Sequence, residues 1–532
     1  QYGVMPCNGL LYAPPHACGC FMEAKIHGFW ALASSRSDEA AEPGEEQAGS
    51  GRAARLVRGP AWSDVARQSK ASTQSDAEQW PTLRHDPLRS GSTEMNLPAR
   101  LAQRWTALVG GRLSAPVVAD GLLLTASVDS HRVVALDART GEQRWEFVAG
   151  GRVDSPPTVY DGLALFGSAD GSVYCLRLQD GQLVWRFRAA PQDRRTVAVD
   201  QLESVWPVRG SVLVLDGVAY VAAGRSSYLD GGIWVYGLDP RTGRVLYQTR
   251  LRDQSPGLIP PPAEDRYAEK IDQNKTDYKT FLAPDRSDAF SMKGATNDVL
   301  VSDGFSVYLR TVRFDRQLRV QSTRGRHLFS TSDLLDDAEN HRSHWVLGTG
   351  DFSRLPVAYS WIANRPSGRG GCYLARPAGL MLCFDQQTVW GVRRVYNKAG
   401  YTLFAETNRP FSPDEQPERD FQMARRGRRP PFWSWSVDLP LHPRAMLRAG
   451  EVLVLAGTPL PSDPKADPEE LAACFEGKRG GRLLVASAKD GRPLNEQELT
   501  APPVWDGLAA AYGQLFLTTT DGQVVCLAGE GP

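Results

Sequence analysis

The chain has 532 residues, with 61 basic against 61 acidic side chains, 42% hydrophobic residues, 50 glycines and 37 prolines. Zero net charge provides no field to gather nucleic acid or an anionic membrane, and no stretch approaches the run of about 18 apolar residues that a spanning helix needs. The length exceeds one small core and suggests three or four domains unless the chain repeats itself, while the glycine and proline content calls for many turns. The sequence opens at Gln1, with neither an initiating methionine nor an apolar signal segment, and reads as a mature form or a piece of a longer chain.

In chain order, "NGLLYAPPHACGCFMEAKIHGFWALA" (8–33) reads as strands and turns, so residues 1–33 form a blade-like segment. Residues 34–79, opening "SSRSDEAAEPGEEQAGSG", are small, polar and charged, the composition of a flexible linker. After "WPTLRHDPLRSGST" (80–93) a pattern begins to repeat. "SAPVVADGLLLTASVDSHRVVALDARTGEQRW" (114–145) matches "SPPTVYDGLALFGSADGSVYCLRLQDGQLVW" (155–185), and Trp145 and Trp185 stand 40 residues apart. Each copy reads as strand, Asp-Gly turn, strand, Asp-containing turn, strand, glycine turn (Gly141 or Gly181) and a final strand. Glycine accepts the positive φ that tight hairpins need. A third copy runs from 210 to 247, with Gly243 kept and Tyr247 in place of tryptophan. Further copies fall at 295–315, 344–385 (ending "MLCFD"), 445–491 and 502–527.

A period near 40 residues is that of a β-propeller blade. The expected fold is all-β, a propeller of four-stranded antiparallel blades. Seven copies after residue 105 plus the N-terminal piece make eight blades; seven, or a composite, are the alternatives. The N-terminal piece is expected to close the ring beside "GQLFLTTTDGQVVCL" (513–527), since closure leaves no open edge. The propeller would occupy 80–532, with insertions at 255–296 and 408–432. Loops of such length are functional or mobile. "RRGRR" (425–429) in the second reads as an anion site or as a solvated basic loop.

The pattern A-x-D-x-x-T-G-x-x-x-W, matched by Ala135, Asp137, Thr140, Gly141 and Trp145 and echoed by Gly181 and Trp185, resembles the tryptophan-docking repeat of the pyrroloquinoline quinone (PQQ)-like β-propellers. That superfamily includes quinoprotein alcohol dehydrogenases and the outer-membrane assembly lipoprotein BamB. Trp80–Thr93 resembles the lead-in of BamB-like PQQ-repeat proteins of planctomycete type. The resemblance covers about 80–250 and the C-terminal region, and is weak over 250–440. It implies that the motif is structural: the tryptophan of one blade packs on its neighbour, and the turn pins it. The physics agrees, because a tryptophan buries roughly 200 Å², worth a few kcal/mol at about 25 cal/mol per Å², and single blades lack a core of their own.

Cys175, Cys383 and Cys526 occupy the register of Ala135, where a small side chain packs, and read as core residues. Cys7, His16, Cys18 and Cys20 fall within 14 residues. A disulfide from Cys7 to Cys18 or Cys20, free thiols, and a metal site all remain open there, although C-x-C is a poor zinc signature. Asp336, Asp337 and His341 are weak metal candidates; a solvated loop of ion pairs is the plainer reading.

For a dehydrogenase, the resemblance implies an adjacent Cys-Cys disulfide beside the quinone, a calcium held by Glu, Asn and Asp, and an Asp base. No two cysteines are adjacent here, so PQQ and Ca²⁺ lack that support, and no catalytic residue is assigned. Polar residues at strand starts offer one channel or rim site: Arg152 and Asp154; Glu203, Trp206 and Arg209; Arg225, Ser226, Ser227 and Asp230. Arg209 and Arg225 are suited to an anion, including a quinone carboxylate; plain turn chemistry is the other reading. The expected function is a non-catalytic binding or scaffold propeller of the periplasm or cell envelope, engaging a protein or glycan. The alternatives are a divergent PQQ-dependent alcohol or sugar oxidoreductase and a sensor module attached to an upstream domain.

Overall fold

The Asp-Gly pairs make the tight turns that their chemistry favours. Asp120–Gly121, Asp161–Gly162 and Asp216–Gly217 take positive φ at both residues, the two-residue turn whose twist suits antiparallel strands. Each joins a three-residue strand to a longer one: Val117–Ala119 to Leu122–Ser127, Thr158–Tyr160 to Leu163–Gly167, and Leu213–Leu215 to Val218–Ala223. The computed structural model describes residues 3–14, 29–33, 54–67, 78–252, 295–323, 325–330, 345–348, 377–394, 400–410, 433–461 and 467–529.

Among the described residues, eight sheets follow one another along the chain, antiparallel except where Ser92–Thr93 adds a parallel strand to sheet 7. Sheets 1, 2 and 3 span 117–148, 158–188 and 213–251; sheets 4 and 5 span 300–321 and 327–379, the latter with three described strands; sheets 6 and 7 span 381–439 and 441–499. Sheet 8 takes three strands from 503–529 and its fourth, Leu101–Leu108, from ahead of sheet 1. The first strands pack side by side in order, from Val117–Ala119 to Thr158–Tyr160 and onward to Pro503–Ala511, which returns to Val117–Ala119, except that sheet 5 meets sheet 6 through its second strand, Trp345–Gly348. The sheets thus form a closed cycle, the arrangement of a β-propeller. Strands inside it are buried on both faces, as in Leu163–Gly167, whereas the closing strand Leu101–Leu108 alternates towards solvent.

Sheets 8, 1, 2 and 3 are joined in turn by tryptophan. Trp105 Nε1 donates to Ala138 O (3.2 Å), Trp145 to Leu178 O (2.8 Å) and Trp185 to Pro240 O (2.9 Å). Each carbonyl belongs to the next sheet's glycine turn. A methyl group at Gly141, Gly181 or Gly243 would stand 2.6–2.7 Å from the ring of Trp105, Trp145 or Trp185; only a glycine lets the ring lie on the turn. Asp137 Oδ1 accepts the amides of Arg139 and Thr140, both at 2.9 Å, and holds the turn in shape. Ala135, Cys175 and Cys526 lie opposite Trp145, Trp185 and Trp105 and are fully buried.

Three expectations are corrected. The N-terminal segment does not close the ring. Met5–Cys7, Leu10–Ala13 and Trp30–Ala33 form a separate sheet, which meets the hairpin Arg195–Ala198/Gln201–Ser204 through a Phe29–Val197 bridge. Leu101–Leu108 takes the closing place because it lies directly before sheet 1, the neighbour of sheet 8, and carries its own docking tryptophan. Second, the stretch expected as linker is partly ordered: Leu56–Arg58 adds a fifth strand to sheet 2 against Trp185–Phe187, and a short helix, Trp62–Arg67, buries Val65. Third, "MLCFD" is not the third strand of a blade. Met381–Phe384 opens sheet 6, and Cys383 faces Trp390. Residues 411–432 then fall between the third and fourth strands of that sheet, Tyr401–Thr407 and Trp433–Leu439.

Candidate functional site

Five of the strand-start candidates converge between sheets 2 and 3. Arg152 and Asp154 lie on the loop leading into Thr158–Tyr160, and Arg209 on the loop leading into Leu213–Leu215; Ser155 Oγ joins the two loops by donating to Arg209 O (2.8 Å). Glu203 comes from the hairpin strand Gln201–Ser204, and Arg225 follows Val218–Ala223.

Glu203 is the hub. Arg209 Nη2 donates to its Oε1 at 2.8 Å, Arg225 Nη2 reaches the same oxygen, and Arg152 Nη2 lies 3.5 Å from Oε2. Asp154 Oδ1 accepts from Arg152 Nε (2.9 Å), and its Oδ2 lies 3.6 Å from Arg209 Nε. Arg225 Nη1 also donates to Ser204 O (3.1 Å) and Val205 O (2.7 Å). Arg152, Glu203, Arg209 and Arg225 are only 1–4% exposed, so the ion pairs lie in a low-dielectric setting where losing one partner is costly. Three guanidiniums face two carboxylates. Burial, and then the charge of Arg209, pull the Arg225 guanidinium down to about 10.

The remaining candidates border this cluster. Trp206 Nε1 donates to Asp230 O (3.0 Å), and Ser226 pairs with Thr296 across a backbone bridge. Burial pushes the Asp230 carboxyl up to about 6 against the pull of Arg194 and Arg225. Arg194 Nη2 lies 3.3 Å from Asp230 Oδ1, and its guanidinium lies 5.4 Å over the Trp206 ring. Sequence reasoning missed Arg194, an exposed-looking member of "PQDRRT" with no pattern to mark it.

The cluster does not fit the quinone as a ready cradle. Quinone carboxylates would have to displace Glu203 and Asp154 from the guanidiniums these acids already hold. Nor are those acids free to gather the six to eight oxygens that calcium takes, and among the described residues no group of three His, Cys, Asp or Glu side chains is arranged to hold a metal. Asp336, Asp337 and His341 lie outside the described residues, as do Cys18 and Cys20; among the described residues Cys7 is an exposed free thiol. Burial raises the thiols of Cys383 and Cys526 to about 12 and that of Cys175 well above its ordinary value, which makes them poor nucleophiles.

Outside the cluster, the projecting hairpin carries apolar side chains. Val197 lies opposite Leu202 and bridges Phe29, and all three are more than half exposed. No helix of the described residues is long and apolar enough to cross a membrane.

No curated protein matches this sequence. Similar solved structures include the quinohemoprotein alcohol dehydrogenase from Comamonas testosteroni (14% identity, TM-score 0.48, covering 89% of this chain and 84% of that one). A europium-containing methanol dehydrogenase (10%, 0.49, 88% and 99%) and BamB from Moraxella catarrhalis (11%, 0.32, 82% and 99%) are also similar. Residues 71–258 match the family model described as outer membrane protein assembly factor BamB, and this part of the chain carries a PQQ-type repeat.

Proposed function

We propose that the protein is a non-catalytic binding propeller of the cell envelope that engages a protein partner. The observation that carries this reading is the closed ion cluster: the side chains suited to an anionic cofactor are paired with Glu203 and Asp154 at 1–4% exposure for all but Asp154. The match of residues 71–258 to the BamB family model supports a protein rather than a small molecule as the ligand, and an envelope location. The second reading is a divergent PQQ-dependent alcohol or sugar dehydrogenase, favoured by the third guanidinium in excess of the two acids. Titrating the purified protein with PQQ and Ca²⁺ separates the two. No quinone absorbance in the protein fraction and no dye reduction with alcohols or sugars, at saturating cofactor, is the expected result. A bound-quinone spectrum with turnover would overturn the binding-protein reading.

A further inference from the structure

Residues Trp80–Thr93 touch every sheet of the ring. Trp80 exchanges two backbone hydrogen bonds with Val118 of sheet 1 (2.7 and 2.8 Å), and Pro81 O accepts from Val159 N of sheet 2 (2.8 Å). Arg89 Nη2 donates to Val212 O ahead of sheet 3 (3.4 Å), and its Nε to Leu300 O of sheet 4 (3.3 Å). The Arg84 guanidinium lies 5.1 Å over Trp345 of sheet 5 and donates to Leu382 O of sheet 6. Gly91 O accepts from Arg448 N of sheet 7 (2.9 Å), and Arg84 Nη1 pairs with Asp506 of sheet 8 (2.8 Å). A stretch of chain that touches all members of a closed cycle lies within it.

The segment is shaped for that place. Arg84, His85 and Arg89 take positive φ, a conformation that non-glycine residues keep only when their surroundings impose it. The bracing is internal: Arg84 Nε donates to Arg89 O (3.0 Å), Arg89 Nη1 to Leu83 O (3.0 Å), and Ser90 N to Asp86 Oδ1 (3.0 Å). Arg89 is fully buried and Arg84 is 4% exposed, whereas Leu88, at the turn between them, reaches solvent.

We propose that Trp80–Thr93 is an axial strap, a built-in plug that fills the middle of the ring and must be withdrawn before any ligand can bind along the axis. Ligand contact in the resting protein is thereby confined to the outer faces and loops. The proposal stands apart from the binding-protein reading, since a plugged ring serves a scaffold or an enzyme regulated by release.

Hydrogen exchange of the full chain, read by mass spectrometry, tests it. The amides of Arg89 and Gly91, bonded to Asp86 O and Arg84 O, are expected to exchange as slowly as those of Leu122–Ser127 in sheet 1. Arg89→Lys keeps the charge but loses the planar fork; it should speed exchange across the strap at least tenfold while Leu122–Ser127 stays slow. Should the variant destabilise the whole ring, a second variant decides, Thr82→Cys in a Cys7→Ser background. A small maleimide should label this cysteine no faster than the buried Cys175. Fast strap exchange or prompt labelling in the resting protein would overturn the plug.

Discussion

From sheet 8 through sheets 1, 2 and 3, each interface carries a tryptophan lodged on the next sheet's glycine: Trp105 on Gly141, Trp145 on Gly181 and Trp185 on Gly243. From sheet 3 through 4 and 5 to 6, no described interface is built that way. Tyr247 stands on sheet 3 where the repeat has tryptophan, and the Asp315 turn of sheet 4 has no glycine beside it. Here the strap, which also touches sheets 8, 1 and 2, reaches the sheets through Arg89 at Val212 and Leu300 and Arg84 at Trp345 and Leu382. The docked arc adds a tryptophan on a glycine turn at each interface; the other arc relies on apolar packing between its sheets, such as Leu213 and Leu215 with Val307 and Leu309, and on the strap. Repeat chemistry is therefore dispensable for a given interface when another element holds the sheets in register.

Substitution should separate the two arcs. Trp185→Ala empties a fully buried site and removes the indole N–H that Pro240 O accepts, which should cost about 3–5 kcal/mol in denaturant unfolding. Tyr247→Ala, at the corresponding half-buried position, should cost only about 1 kcal/mol; an equal loss would erase the distinction. Gly243→Ala combines φ +68° with contact at 2.7 Å to Trp185, and about 2–3 kcal/mol is expected. Gly304→Ala in sheet 4, at φ +91° but with open space around it, should cost about 1 kcal/mol.

The two regions should also answer pH in opposite directions. Asp230, in the docked arc, has its folded value raised to about 6, chiefly by burial. Its charged form is disfavoured by folding, so its contribution improves as pH falls from about 7 towards 4. Against Asp230→Asn, the wild type should gain on the order of 2 kcal/mol over that window; a difference that does not vary with pH would contradict the assignment. In the strap, burial pushes the Asp86 carboxyl up, but His85 and Ser90 outweigh it and hold it below the ordinary carboxylate value. Its contribution is present above about pH 4 and is lost as pH falls further. Asp86→Asn should therefore flatten the acid limb of the unfolding curve. The smallest change is expected from Leu202→Thr on the exposed hairpin, within about 0.5 kcal/mol, because that side chain contributes surface rather than core.

Much of the docked arc was legible because its determinants are local. An Asp-Gly pair specifies a hairpin from two residues, and a glycine followed four residues later by tryptophan marks the docking strand. Sheet 6 was not legible: it has no Asp-Gly turn, and 411–432 separate its last two strands. The strand starts at Arg152, Glu203, Arg209 and Arg225 drew notice as polar residues near one another, yet their spacing could not say whether they waited for a ligand or held each other. Three loops and a hairpin had to meet before Glu203 could occupy all three guanidiniums.

By itself, then, the sequence determined the strand-and-turn rhythm, the forty-residue period and the glycine sites where a tryptophan could lie, since each follows from φ preferences and side-chain volume within a few neighbouring residues. Only the tertiary structure decided which strand closes the ring, that the arginine cluster is internally paired, and that Trp80–Thr93 contacts all eight sheets. Those outcomes rest on contacts between residues tens to hundreds of positions apart, such as Arg84 with Asp506, and no local preference encodes which distant partner a buried charge will find.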